Sequence, residues 1–173
     1  MNPANGGRHA ANTMTATEAI RMIRSGQRVF IGSSCGEPQT LVNELLLQKN
    51  RFSDLEIIRL LSLEGSITSL YGDQAHGHTF TVRSIYQGAG VSKGLAGNRR
   101  FLTPMNISVI PKLFRTRQLP VHAALVQVSP PDDLGWMSLG ISVDVTLAAA
   151  KSADRVIAQV NPRMPRVLGN CFL

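Results

Sequence analysis

Residues 28–61 read RVFIGSSCGEPQTLVNELLLQKNRFSDLEIIRLL, and this stretch decides the fold. It starts with a short apolar strand at 28–31 and ends with a longer apolar strand at 55–61. Between them, a loop with two glycines leads into a predicted helix, which Glu37-Pro38 opens with proline at the first helical position. Leucine and valine then recur at helical spacing. A strand, a helix and a second strand in this order require a right-handed crossover, which predicts a parallel sheet.

The flanking segments continue the alternation of helices and strands. Thr15 and Glu18 have the spacing of a capping box, which predicts a helix that stops near Ser25-Gly26. Downstream, periodicity predicts a strand at 79–85, a helical turn near 91–96, a helix at 107–117, a strand at 123–128, a helix at 143–153 and a strand at 155–160. We therefore predict the α/β class, with an open, mainly parallel sheet and helices on both faces.

Length and composition indicate one globular domain. The chain has 173 residues, of which 43% are hydrophobic and 17% charged, so it can bury a core and is not disordered. Residues 1–14 are polar and are predicted to form a flexible tail, followed by a domain at 15–173. The N-terminus lacks the apolar segment of a signal peptide, and no apolar run is long enough to cross a bilayer. Two distant cysteines, Cys35 and Cys171, indicate neither a disulfide framework nor a zinc site, so we expect a cytoplasmic protein.

The net charge of +7 raises the question of nucleic-acid binding. The basic residues are scattered, and the densest groups are Arg99-Arg100 and the set Lys112, Arg115 and Arg117. Aromatic residues, on which bases could stack, make up only 5% of the chain. We therefore expect a basic surface, or a site for a phosphorylated ligand, and no nucleic-acid partner.

Two loops follow predicted strands at the edge where a ligand would bind. In open parallel sheets, ligands bind outside the carboxyl ends of the strands. GSSCGEP at 32–38 follows the first strand, and SPPDDLG at 129–135 follows the apolar strand predicted at 123–128. Proline fixes φ and restricts the residue before it, so the second loop is a rigid corner. We predict that Pro130, Pro131 and Asp132 shape a cleft.

Three segments resemble the acetyl-CoA hydrolase/transferase family, which includes the 4-hydroxybutyrate CoA-transferases and belongs to the class I CoA-transferases. They are AIRMIRSGQRVFIGSSCGEPQTLV (19–42), FLTPMNISVIPKLFRTRQLP (101–120) and ALVQVSPPDDLGWMSLGISVDVTLAAAKSADRVIAQVNPRMPRVLG (124–169). The resemblance implies a CoA-transferase-like fold and a two-domain enzyme whose α/β halves share a cleft. This chain is expected to be the N-terminal half, without the C-terminal catalytic domain. His122 and Asn170 stand where the family is expected to have an acid.

The resemblance also implies a reaction. A glutamate attacks the acyl-CoA thioester and forms an acyl-glutamyl anhydride and free CoA thiolate. The thiolate then forms a glutamyl-CoA thioester, from which a carboxylic acid collects the CoA. The family carries this glutamate in the other half, so no catalytic residue is expected in this chain. Coenzyme A is a substrate, no permanently bound cofactor is expected, and acetyl-CoA is the expected short acyl-CoA.

Within that scheme, the loop at 32–38 is expected to contact the acyl group or its oxyanion. The residues are Gly32, Ser33, Gly36, Glu37 and Pro38. Small residues let the backbone approach a ligand, and the N–H groups at the start of the following helix carry the positive end of its dipole. The alternative is a tight strand-to-helix turn that binds nothing.

The same loop contains two candidate nucleophiles. Glu37 at a helix N-terminus is stabilised as an anion, which lowers its basicity, so a capping or positioning role is favoured. Cys35 could act as a thiolate activated by the helix terminus, but no histidine is near it in sequence, and a small loop residue is the simpler interpretation.

Two pairs of polar side chains could indicate a metal site or acid–base chemistry. His76 and His78 alternate as in a strand, but no third metal ligand is evident, so no metal site is expected. Asp132 and Asp133 could act as an acid–base pair, although capping a turn through bonds to backbone N–H groups is favoured.

The resulting hypothesis is the N-terminal half of a CoA-transferase or acyl-CoA hydrolase that forms a homo-oligomer. Its partners would be an acyl-CoA, a short carboxylic acid and the C-terminal domain, with no membrane partner. The alternative is a non-catalytic module that binds an acyl-CoA or a partner domain. The surface facing the second domain is expected to be apolar.

Overall fold

The computed structural model describes residues 13–61, 79–86 and 100–173, with the side chains of 100–102 left outside this description. The helical turn predicted near 91–96 lies outside the described residues, as do His76 and His78 and almost all of the predicted tail.

One six-stranded sheet forms within the described residues, and all its strand pairs are parallel. The strands are β1 Arg28–Ile31, β2 Leu55–Arg59, β3 Phe80–Ser84, β4 Arg100–Leu102, β5 Ala123–Val128 and β6 Arg155–Val160. Their order across the sheet is β4-β3-β2-β1-β5-β6, so β1 lies between β2 and β5.

Short α-helices pack on both faces of this sheet. They are α1 Ala16–Arg21, α2 Gln39–Leu47, α3 Ile110–Arg115 and α4 Thr146–Ser152, with 3-10 turns at Ser34–Gly36 and Lys49–Arg51. α1 and α2 contribute to the core on one face, and α3 and α4 contribute to the core on the other. The capping box is present, because the Thr15 hydroxyl accepts from the N–H of Glu18 and the Glu18 carboxylate accepts from the N–H of Thr15. The predicted α/β class, with a parallel sheet and helices on both faces, is confirmed.

β5 belongs to both halves of the core. All six of its residues are buried. Leu125 packs on the side of α1 and α2, whereas Ala124 and Val126 pack on the side of α3 and α4. Successive side chains of a strand point to opposite faces, so a strand covered on both sides is mostly apolar, and Gln127 is the one polar residue here.

Several predicted helix bounds differ from the structure, and one strand was missed. α1 ends at Arg21 and not near Ser25-Gly26, and α4 begins at Thr146 and not at 143. α2 begins at Gln39, with Pro38 as the residue before its first turn. α3 begins only at Ile110, because the side chain of Asn106 accepts from the N–H of Ser108 and forms a turn first. β4 was not predicted, since three residues are too few to display an alternation pattern.

An ion-pair network joins the amino ends of β1 and β2, at the edge opposite the two candidate loops, to Arg83, the fourth of the five residues of β3. Nε of Arg28 and Nε of Arg83 donate to the two carboxylate oxygens of Glu56, at 2.6 and 2.5 Å. Burial alone would raise the pKa of Glu56, but the hydrogen bonds from Arg83 and Arg28 outweigh it and hold the pKa below its ordinary value. The Nδ1 atom of His122 accepts from the N–H of Arg28 at 2.9 Å, which gives His122 a structural contact at this edge.

Candidate functional site

The strand order creates a switch point between β1 and β5. From β1 the chain runs outward through β2 and β3 to β4, and it then returns to the other side of β1 as β5. The loops that leave β1 and β5 therefore diverge at the carboxyl edge of the sheet, which is where open α/β sheets bind ligands. The two loops predicted from sequence, 32–38 and 129–135, are these two loops.

The first loop is hydrogen-bonded to β5 on one side and to the segment that follows β2 on the other. The N–H of Gly32 donates to the carbonyl of Leu125 at 2.8 Å, and the N–H of Ser34 donates to the carbonyl of Leu61 at 3.0 Å. Ser34 has a left-handed φ of 52°, which is uncommon for a residue with a side chain. Cys35 is the exposed residue at the tip of the loop, whereas Ser33 is buried below it.

Glu37 takes part in a buried ion pair with an arginine that the sequence did not single out. Nη2 of Arg59, the last residue of β2, lies 3.6 Å from Oε2 of Glu37. Glu37 is 1% exposed and Arg59 is 2% exposed. The burial of this carboxylate and its contact with Arg59 favour the positioning role of Glu37 over a nucleophilic one. In the sequence, this ion pair could have been expected from an arginine at the end of an apolar strand and an acid in a neighbouring loop.

The start of α2 is capped from within the chain. Oε1 of Gln159 in β6 accepts from the N–H of Thr40 at 2.9 Å and from the N–H of Leu41 at 3.4 Å. The prediction that the first N–H groups of this helix point out toward a ligand is therefore wrong for these two residues. A side chain of a neighbouring strand satisfies them instead. Any ligand contact by the loop must come from the residues before the helix.

Gln127 supports the first loop from below. Its Nε2 atom lies 3.5 Å from the carbonyl oxygens of both Cys35 and Glu37, and its Oε1 atom accepts from Nδ2 of Asn161 at 3.0 Å. Gln127 is the one polar side chain of β5, at the end of the strand that lies under the loop. A polar residue in an otherwise apolar buried strand is a signal that could have identified it.

The segment that follows the corner forms hydrogen bonds with the first loop through Ser142 and Asp144. The hydroxyl of Ser142 donates to the carbonyl of Ser33 at 2.8 Å, and the hydroxyl of Ser33 donates to the carboxylate of Asp144 at 2.5 Å. The other oxygen of Asp144 accepts from the N–H of Thr146 at the start of α4. A Cβ atom at Gly36 would lie 2.4 Å from the Cβ of Ser142. The predicted glycine is thus required by the close approach of the two loops.

The corner itself is organised around Asp132. Its carboxylate accepts from the N–H groups of Leu134 and Trp136, at 3.0 and 2.8 Å, and pairs with the guanidinium of Arg166 at 2.5 Å. These contacts favour the capping interpretation of Asp132 over an acid–base pair, and Asp133 is exposed. Pro130 and Pro131 are exposed beside it, so the shaping of a cleft by the corner stays a prediction.

The C-terminal segment 164–173 braces the corner. The N–H of Leu139 donates to the carbonyl of Cys171 at 2.9 Å, and the buried hydroxyl of Ser138 bonds to both backbone groups of Val167. Large apolar side chains are nevertheless exposed in the corner, in the residues just after it and in the C-terminal segment: Leu134, Trp136, Ile141, Val167 and Leu168.

Both cysteines are free, with Cys35 exposed and Cys171 buried. Among the described residues, no group of three or more His, Cys, Asp or Glu side chains is arranged to hold a metal ion. None of the helices in the described part of the chain is long and apolar enough to span a membrane.

Comparisons with known proteins agree with this fold. The N-terminal domain of the acetyl-CoA hydrolase/transferase family matches residues 8–171. The chain is 37% identical over 160 residues to the 4-hydroxybutyrate coenzyme A transferase of Clostridium kluyveri, an alignment that covers 92% of this chain and 37% of the relative. The chain spans about a third of the length of the curated relatives it matches.

Solved structures of CoA-transferase relatives and of RipA have a similar fold. RipA from Yersinia pestis matches with a TM-score of 0.83 and 25% identity, over 95% of this chain and 40% of RipA. The 4-hydroxybutyrate CoA-transferase of Porphyromonas gingivalis matches with a TM-score of 0.70 and 25% identity, over 92% of this chain and 36% of that enzyme. With a family match that extends over nearly all of its length, the chain belongs to the acetyl-CoA hydrolase/transferase family.

Proposed function

We propose that this chain is the N-terminal part of an enzyme that moves coenzyme A between a short acyl-CoA, acetyl-CoA in the first instance, and a carboxylic acid. The observation that carries the proposal is the rigid, glycine-bearing loop at the switch point of the sheet, in a chain whose family members include CoA-transferases. We place the protein in the cytoplasm, where acyl-CoA substrates are available.

The proposed reaction needs a carboxylate nucleophile that this chain does not supply. A glutamate from the remainder of the enzyme attacks the thioester carbonyl, the C–S bond breaks, and CoA leaves as a thiolate. The thiolate attacks the glutamyl carbonyl of the resulting anhydride, which releases the acyl carboxylate and leaves a glutamyl-CoA thioester. A second carboxylic acid reverses these steps and collects the CoA.

The role of this chain is to hold the acyl-CoA and to stabilise charge near its carbonyl. Gly32, Ser33 and Gly36 keep the loop small enough for close approach of a ligand, and Glu37 and Pro38 set its exit into α2. Donors fixed before the reaction stabilise a developing oxyanion without reorganisation. No sulfur or carboxylate of this chain takes part as a nucleophile in this scheme.

The expected partners follow from the shared cleft. The rest of the enzyme would pack at the carboxyl edge of the sheet, beside the exposed apolar residues of the corner, and the whole enzyme would form a homo-oligomer. The alternative function is a non-catalytic module that binds acyl-CoA or a partner domain.

A complementation assay tests the proposal. The chain is mixed with the part of the Clostridium kluyveri relative that lies beyond its alignment, and CoA transfer from acetyl-CoA to 4-hydroxybutyrate is measured. We expect transfer by the mixture and none by either part alone. Borohydride reduction followed by mass spectrometry should place the modified glutamate in the added part.

Two outcomes would contradict the proposal. A modified Glu37, or any other modified acid in this chain, would overturn the assignment of the nucleophile. If acetyl-CoA binds to the chain but no mixture transfers CoA, the non-catalytic module is the better description.

A further inference from the structure

Arg59 and Glu37 form a buried contact that the reaction scheme does not use. Both side chains are almost completely removed from solvent, at 2% and 1% exposure. Removing two charges from water costs free energy that a pair of apolar side chains at the same place would not. A contribution to folding stability therefore explains this ion pair poorly, and its position in the fold suggests a different role.

The pair joins β2 to the loop that leaves β1. Glu37 follows the 3-10 turn at Ser34–Gly36, and Arg59 is the last residue of β2. On the opposite side, Nε2 of Gln127 in β5 approaches the carbonyls of Cys35 and Glu37. The loop is thus held by polar side chains from the two strands that flank β1.

The loop needs such support because its backbone is not in a relaxed conformation. Ser34 has a left-handed φ of 52°, a region that non-glycine residues adopt at a cost in free energy. Residues held in such conformations persist only where the surrounding structure over-determines them.

We propose that Arg59 is a positioning residue that acts through Glu37 to keep the 32–38 loop in its binding conformation. The inference rests on the proposed function for the identity of the ligand, acetyl-CoA, although the effect on the loop itself does not. A site whose donors are fixed in advance binds its ligand with a smaller loss of conformational entropy.

Hydrogen exchange of the loop amides in the 173-residue chain tests the proposal. The variant Arg59→Met keeps an unbranched apolar stem and removes the guanidinium with its charge. We expect the amides of Ser34, Gly36 and Glu37 to exchange roughly tenfold or more faster, the factor that a lost charged interaction gives to a local opening. Arg59→Lys should restore part of the protection.

Two further variants separate positioning from stability. Arg117→Met removes the exposed pair with Asp154 and serves as a matched control that leaves loop exchange unchanged. The double variant Glu37→Gln with Arg59→Met removes both buried charges. It should recover folding stability relative to Arg59→Met alone, while the loop amides still exchange fast.

Acetyl-CoA titrated into the same variants gives the functional measurement. We expect the affinity of Arg59→Met to fall by roughly tenfold and that of Arg59→Lys to fall less. Wild-type rates of loop exchange in folded Arg59→Met, or restored loop protection in the double variant, would overturn the proposal. If the loop responds as expected but wild-type chain binds no acetyl-CoA, the positioning role stands and the proposed function fails.

Discussion

Replacing Gly36 by alanine tests the close approach of the two loops. The new Cβ would lie 2.4 Å from the Cβ of Ser142, whereas ordinary carbon contacts lie at about 3.5–4.0 Å, so the loops must separate by roughly 1 Å. The Cβ of Ser142 is attached directly to the backbone, so no rotamer change can relieve the contact. Gly36 does not have a positive φ, so the backbone conformation itself accepts alanine.

The expected cost combines two effects. Overpacking of a close contact destabilises by about 1–3 kcal/mol. Separation of the loops also weakens the hydrogen bond from Ser142 to the carbonyl of Ser33, which contributes about 1 kcal/mol. The free energy of unfolding of Gly36→Ala should therefore fall by roughly 2–4 kcal/mol, as measured by denaturant titration.

Two second-site variants identify the cause. Ser142→Gly removes the clashing Cβ and should recover part of the stability of Gly36→Ala, whereas Ser142→Ala keeps the Cβ and should not. The reasoning is refuted if Gly36→Ala unfolds within about 0.5 kcal/mol of wild type, the range of an ordinary surface substitution. It is also refuted if both second-site variants rescue equally.

Two further predictions concern pH and self-association. Because the folded pKa of Glu56 is lowered, its contribution to stability is present above the unfolded value of about 4.3 and is lost as the pH falls through the folded value. Glu56→Gln should flatten this acid limb in denaturant titrations at several pH values, and Asp133→Asn on the exposed turn should not. The exposed apolar residues of the corner should drive self-association in light scattering, and Trp136→Ser combined with Leu168→Ser should reduce it. A wild-type chain that stays monomeric at all concentrations would contradict the second prediction.

Local sequence patterns determined most of the elements of this fold. β1, α2 and β2 were predictable because apolar spacing is set by the period of each element, which needs no knowledge of its neighbours. The apolar run of β5 marked a strand covered on both faces for the same reason. The carboxyl edge of the sheet, and the two loops on it, then followed from the rule that strand–helix–strand units are parallel and right-handed.

The tertiary structure alone decided how the loops are held. Arg59 reaches Glu37, Gln127 reaches the carbonyls above it, and Gln159 caps α2, all across strands that are distant in sequence. Gln127 is the single polar side chain of its strand, whereas Arg59 and Gln159 each share a strand with a charged residue. The partner of each one depends on strand order and register. The close approach of Gly36 to Ser142 likewise depends on the return of the chain to β5. Periodicity reports which face of an element is buried, whereas only packing determines what that face meets.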